Sequence, residues 1–184
     1  MRYLLLVSHG TMAPGVHSVI RMLLGDRDNV LSYSMEDGVS ADDFVAALGD
    51  VVAPVTPDDS VVVLGDIMGG SPLTNTLNLL TQRGLLANTI AFGGLSLPMA
   101  IAALMGIEDG LEGDAYVENV LAEARAGATK VELVLDDDDG GARFHQLVKH
   151  FEQYLYVERV QADGRLVEDE DRVLLRFSHL GGQL

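Results

Sequence analysis

Cysteine and tryptophan are absent from this 184-residue chain, and lysine and arginine together number only 12. Without cysteine there is no disulfide, no thiolate metal site and no thiol nucleophile. The few cations face 28 acids, giving a formal net charge of -16. Residues 1–135 hold 17 acids and 6 bases, and residues 136–184 hold 11 and 6. Neither part offers the basic footprint that a phosphate backbone requires, so no nucleic acid is expected as partner. Long apolar runs are also missing. The longest, Leu97 to Ile107, falls well short of the ~20 residues that span a bilayer. The opening stretch Met1–Val7 is too short for a signal-peptide core and runs straight into polar residues. These absences predict a soluble, cytoplasmic protein.

What is present suits a packed domain. Hydrophobic residues make up 48% of the chain, enough apolar surface to offset the entropy of ordering most of it. Short apolar runs alternate with longer amphipathic ones, the pattern of βαβ units around a parallel sheet. The spacing predicts strands at Tyr3–Val7, Val30–Tyr33, Val61–Leu64, Thr89–Phe92 and Val131–Leu135. It predicts helices from Pro14 to Gly25, after Ser40, from Ser71-Pro72 to Gly84, over Pro98–Met105 and over Asp114–Ala126. Ser40 and Ser71 are the expected N-caps, with Pro72 at the first helical position. The fold class is therefore α/β, a doubly wound and mainly parallel sheet, with a small C-terminal appendage. Residues 1–135 form the expected domain. Residues 136–184 form an extension opened by the acidic hinge Asp136–Asp139, with a helix over Phe144–Tyr154 and strands at Tyr156–Gln161 and Arg172–Phe177.

Folds of this kind bind ligands beyond the carboxyl ends of the strands, where strand order reverses. Ser8-His9-Gly10 lies just past the first strand, Asp66 and Gly69-Gly70-Ser71-Pro72 past the third, and Gly93-Gly94 and Ser96 past the fourth. A neutral imidazole at a strand end between small residues is a competent nucleophile near neutral pH. The bland alternative, a histidine that ends a strand and hydrogen-bonds backbone, is the commoner case for position alone. Asp66 on a neighbouring strand would change that balance. A carboxylate there accepts from one ring nitrogen, leaves the other free to attack and stabilises the charge that develops. Alone, an aspartate at a strand end is more often a helix or turn cap than a catalytic partner. Gly69, Gly70 and Ser71 before a helix provide close backbone approach, a hydroxyl and a positive dipole end, a cradle for an anion or simply a capped turn.

Val7-Ser8-His9-Gly10, followed by Ala13 and Gly15, resembles the phosphorylation segment of the mannose/fructose/sorbose-family enzyme IIA of the sugar phosphotransferase system. Gly65-Asp66 with Gly69-Gly70-Ser71-Pro72 resembles that family's second signature, and Gly94-Leu95-Ser96-Leu97-Pro98-Met99 its third. The resemblance implies a sheet ordered 2-1-3-4, with a fifth, antiparallel strand that can be exchanged in a homodimer. It implies that His9 accepts phosphate from the histidine-containing phosphocarrier protein and passes it to an enzyme IIB, with Asp66 as its catalytic partner. Gly10, Gly69, Gly70, Ser71 and Ser96 would then bind phosphate, no metal or cofactor would be needed, and membrane permease subunits would be indirect associates. The departures are Thr74 where the family usually has asparagine, Ser96 where it again has asparagine, and a tail after Leu135 without counterpart. A dihydroxyacetone kinase phosphocarrier subunit and a regulatory module that is phosphorylated without relaying are the alternatives.

Other signals carry less. His17 on the first helix reads as a surface or packing residue. His145 and His150 stand five apart, a poor spacing for a metal pair on one helical face. Asp136–Asp139 lacks the glycine and distal glutamate of a calcium loop, and no glycine-rich segment ends in the Lys-Ser/Thr of a nucleotide loop.

Overall fold

The computed structural model describes residues 1–130, together with the backbone of 134–135 and 142–143. The chain divides into two units, Met1–Ala128 and Thr129–Leu184. The first alternates strand and helix: β1 (Arg2–His9), α1 (Met12–Leu24), β2 (Val30–Met35), α2 (Ala41–Val51), β3 (Ser60–Gly65), α3 (Ser71–Gln82), β4 (Thr89–Gly93), α4 (Leu97–Glu108) and α5 (Gly113–Ala126). In the second, β5 (Val134–Leu135) pairs antiparallel with β6 (Ala142–Arg143). The histidines at 145 and 150, the Asp136–Asp139 run and the elements expected beyond Phe144 lie outside the described residues.

The four strands of the first unit form one parallel sheet in the order β2-β1-β3-β4. Central strands covered on both faces should be continuously apolar along their middles rather than alternating, as Tyr3–Val7 of β1 and Val61–Leu64 of β3 are. Leu4, Leu6, Val62 and Leu64 pack on one face with Ala13 and Ile20 of α1, Met99, Ala103 and Leu104 of α4, and Tyr116 and Val120 of α5. Tyr3, Leu5, Val7, Val61 and Val63 fill the other face against Phe44 and Leu48 of α2 and Leu73, Leu79 and Leu80 of α3. Because every strand is parallel, each following helix begins at the same, carboxyl end of the sheet.

Local chemistry sets the helix starts. Ser40 caps α2, accepting from the Asp43 N–H at 3.1 Å. For α3 the cap is Gly70, not Ser71, which is the first helical residue; Pro72 follows inside the first turn, where its missing N–H costs nothing. α4 runs past its expected end at Met105 because Gly106 is a packing glycine rather than a terminator. A Cβ there would meet the buried Tyr116 ring at 2.9 Å. Tyr116 in turn donates to the Ala103 carbonyl at 2.9 Å and carries the Arg2 guanidinium 3.9 Å over its ring, which fastens α5 to the domain.

Candidate active site

His9 is the last residue of β1 and Asp66 the first after β3. These strands are neighbours, with Val7 opposite Gly65, so the two side chains meet at the carboxyl edge of the sheet. Asp66 Oδ2 accepts from the His9 backbone N–H at 2.8 Å and lies 2.9 Å from His9 Nδ1. Its Oδ1 accepts from the Ile67 N–H at 2.8 Å. The Asp66 side chain is 11% exposed and that of His9 is 44% exposed, so the base sits behind and the ring in front. Burial on its own would push the Asp66 carboxyl up, but bonds from the His9 N–H, the His9 ring and the Ile67 N–H outweigh it and hold the group below the usual carboxylate range. An ionised acceptor at Nδ1 makes that nitrogen the proton carrier and leaves the lone pair on Nε2, which no described residue hydrogen-bonds.

The turn after Asp66 is fitted to the ring. Gly69 takes φ +76°, and Gly70 approaches so closely that a Cβ on it would lie 3.0 Å from His9 Cε1 and 3.1 Å from the Ile67 carbonyl. Ser71 is exposed at the start of α3. Gly10, at φ +58°, turns the chain out of β1 and donates to the Met35 carbonyl at 2.9 Å. The β4–α4 loop closes the far side: Gly94 donates to the Asp66 carbonyl at 3.2 Å and Leu95 to that of Gly65 at 2.9 Å. Ser96 caps α4 through the Met99 N–H at 3.4 Å, so its hydroxyl is engaged within its own helix.

The EIIA-man family, described as the PTS system fructose IIA component, matches residues 3–121. The chain belongs to this family. Solved structures share the fold. Phosphotransferase system component EIIA from Streptococcus agalactiae matches with TM-score 0.60 and 23% identity over 71% of this chain and 97% of that one. The mannose/sorbose-specific IIA subunit from Enterococcus faecalis matches with TM-score 0.58 and 21% identity over 72% and 96%. The IIA protein associated with the fucose utilization operon of Streptococcus pneumoniae matches with TM-score 0.56 and 22% identity over 70% and 92%.

As an enzyme IIA of this family, the protein has a phosphotransfer role in a sugar phosphotransferase system. Of the residues singled out from the sequence, the structure brings His9, Asp66 and Gly70 into direct contact and sets Gly10, Gly69 and Ser71 in the flanking turns. Ser96 belongs to an adjoining loop and makes no described bond to His9. His17 packs against β2, its Nδ1 2.9 Å from Ser32 Oγ. Two features of this enzyme IIA escape a reading of the sequence. Ser8 and Ser34 are buried side by side behind His9, and Ile67 and Met68, beside the catalytic candidate, are among the exposed large apolar residues. Ser8 five residues before an α1 amide was the one available signal for the first; nothing in the sequence separates Ile67 and Met68 from core residues. Among the described residues no helix is long and apolar enough to cross a membrane.

Proposed function

We propose that His9 is the phosphoryl carrier of this enzyme IIA, loaded by the histidine-containing phosphocarrier protein and discharged to an enzyme IIB. The observation that carries this reading is the pairing of an accessible imidazole with an ionised carboxylate at Nδ1, which frees Nε2 as the nucleophile. The Nε2 lone pair attacks phosphorus while the bond to the donor's imidazole nitrogen breaks, its electron pair returning to the donor ring. The ring of His9 gains positive charge as the new N–P bond forms, and Asp66 offsets it. Onward transfer reverses these roles on the enzyme IIB histidine. Little covalent assistance is needed, because transfer between in-line nucleophiles depends on placement and electrostatic support.

Gly69, Gly70, Ser71 and Gly10 border the space beside the ring, and the α3 N-terminus offers unpaired N–H groups to phosphoryl oxygens. The proposal assigns them to phosphate binding; Ser96 is assigned there only as a cap that steadies its loop. An exposed apolar rim supports macromolecular partners: Met12 at the start of α1, and Ile67 and Met68 on the loop after β3, are 41%, 58% and 80% exposed. A homodimer that exchanges a fifth, antiparallel strand belongs to the same proposal; β4 is an edge of the sheet and leaves a place for an added strand. The phosphoryl-carrier domain is assigned to 1–135, with 136–184 as an acidic hinge and C-terminal extension.

The test is incubation with phosphorylated carrier protein, followed by addition of enzyme IIB. Acid-labile phosphate that appears on the wild type, is lost in His9→Gln and moves to enzyme IIB supports the relay. Loading without onward transfer indicates a regulatory module, transfer only to a dihydroxyacetone kinase subunit indicates that pathway, and no loading rejects the proposal.

A further inference from the structure

Behind His9 lies a pair of hydroxyls that the proposed chemistry does not use. Ser8 on β1 is opposite Ser34 on β2, both are buried, and their hydroxyl oxygens are 2.9 Å apart. Ser8 Oγ also accepts from the Ala13 N–H at 2.8 Å. Ala13 is the second residue of α1 and wholly buried, so water cannot replace that bond. Thr11, the residue at the N-cap position, makes no side-chain cap of its own. The capping oxygen of α1 therefore comes from the strand rather than from the helix.

This bond spans His9-Gly10-Thr11-Met12 and closes them into a short loop. A second bond, from the Gly10 N–H to the Met35 carbonyl at 2.9 Å, ties the middle of the loop to the strand that bears Ser34. Adjacent side chains on a strand face opposite ways: Ser8 turns toward α1, and His9 turns toward Asp66 and Gly70. Ser8 thus grips the loop from the face that His9 leaves empty.

We propose that Ser8, seated by Ser34, is a positioning residue for His9. It fixes the loop so that the imidazole keeps Nδ1 on Asp66 and presents Nε2 outward. The inference rests on the phosphoryl-carrier reading, but half of its test does not.

The experiment uses the full chain with Ser8→Ala, Ser34→Ala and Ser8→Thr. The first readout is the ¹⁵N spectrum of the His9 ring, which reports the Nδ1–H tautomer without phosphate. The second is the rate of phosphoryl acceptance against concentration of phosphorylated carrier. Ser8→Ala is expected to blur the Nδ1–H signature and lower the maximal rate about 10-fold, leaving the half-saturating carrier concentration within about twofold. Ser34→Ala should move both readouts the same way by less, and Ser8→Thr, which keeps the hydroxyl, should restore them. A folded Ser8→Ala with wild-type ring spectrum and rate overturns the proposal, as does a folded Ser8→Thr no better than alanine. If Ser8→Ala does not fold, Ser34→Ala decides by the same two readouts. A wild-type protein that takes no phosphate rejects the carrier reading, and the ring spectra still decide the positioning.

Discussion

Replacing Asp66 by asparagine keeps the size of the side chain and removes its charge, which isolates what the carboxylate does. Both oxygens are occupied: Oδ2 faces the His9 N–H and Nδ1, and Oδ1 faces the Ile67 N–H. Asparagine has one acceptor oxygen, so its NH₂ must oppose either Ile67 or His9. The smaller loss places the NH₂ against Ile67, at one side of the turn, and keeps the oxygen on the ring. The ring then still has a neutral acceptor, but the bond that forms opposite an incipient imidazolium is no longer charge-assisted. Such bonds are worth about 1.5–3 kcal/mol against about half that for neutral pairs. The part felt only as charge develops is thus on the order of 1.5 kcal/mol, which slows transfer about 10-fold. Loss of the Ile67 bond adds to it by loosening the turn. Rapid-quench measurement of phosphate arriving on His9 at saturating carrier reads this directly, and the ¹⁵N ring spectrum shows whether Nδ1 keeps its proton. A rate within about twofold of wild type, with the tautomer preserved, would show that the carboxylate's charge is not used and would refute the reasoning.

Four further outcomes follow from the same geometry. His9→Gln should fold with stability within about 0.5 kcal/mol of wild type by urea denaturation, because the ring is 44% exposed, and should take no acid-labile phosphate. Gly70→Ala should slow transfer more than it destabilises, costing about 1–3 kcal/mol, because its Cβ would displace His9 Cε1 from 3.0 Å; equal rates in the two proteins would contradict this. The Asp66 pKa is lowered in the folded state, so its stabilisation is complete above the unfolded value near ~3.9 and is lost as pH falls through the lower folded value. The melting-temperature gap between wild type and Asp66→Asn should accordingly be flat from neutral pH and narrow only in strong acid. Burial and then the Arg21 charge push the His17 pKa down, with Asp26 opposing, so the unfolded chain binds the proton first. Stability should fall as pH drops below ~6.5, and His17→Gln should flatten that slope in thermal melts.

The sheet was legible because Tyr3–Val7 in β1 and Val61–Leu64 in β3 are unbroken apolar runs, the pattern of strands covered on both faces. The pairing of His9 with Asp66 was legible from strand ends plus the order implied by the family's motifs. The errors have local causes. Pro14 and Ser71 were read as boundaries, yet α1 starts at Met12 and α3 is capped by Gly70, since a helix's first turn has unpaired amides and takes proline at several positions. The helix expected over Pro98–Met105 continues to Glu108, because Gly106 makes room for Tyr116, a residue ten positions away that faces it only in the folded chain. The Ser8–Ser34 pair was invisible for the same reason. Serines on different strands are unremarkable until the register places them opposite one another.

The electrostatics of the site follow from where the cations are not. Residues 1–130 contain only Arg2, Arg21, Arg27, Arg83, Arg125 and Lys130, and none lies on a loop at the carboxyl end of the sheet. Arg2 is committed to Tyr116 and the Leu111 carbonyl, Arg21 to Asp26, Arg27 to Glu108 and Arg83 to the carbonyls of Gly49 and Val52. Under the proposed function, a phosphoryl group on His9 would rest on helix N-termini, amide N–H groups and the Ser71 hydroxyl, beside an ionised Asp66. Those donors steady an anion without the strong hold of an adjacent guanidinium. A carrier must release what it accepts, and a deep electrostatic well for the phosphorylated state would slow the second half of the relay. The absence of a cation from these loops among the described residues is thus consistent with transit rather than storage. Introducing one tests it: Thr11→Lys should extend the lifetime of phosphorylated protein while slowing discharge to enzyme IIB, as read by single-turnover transfer. Faster discharge in that variant would show that the balance lies elsewhere.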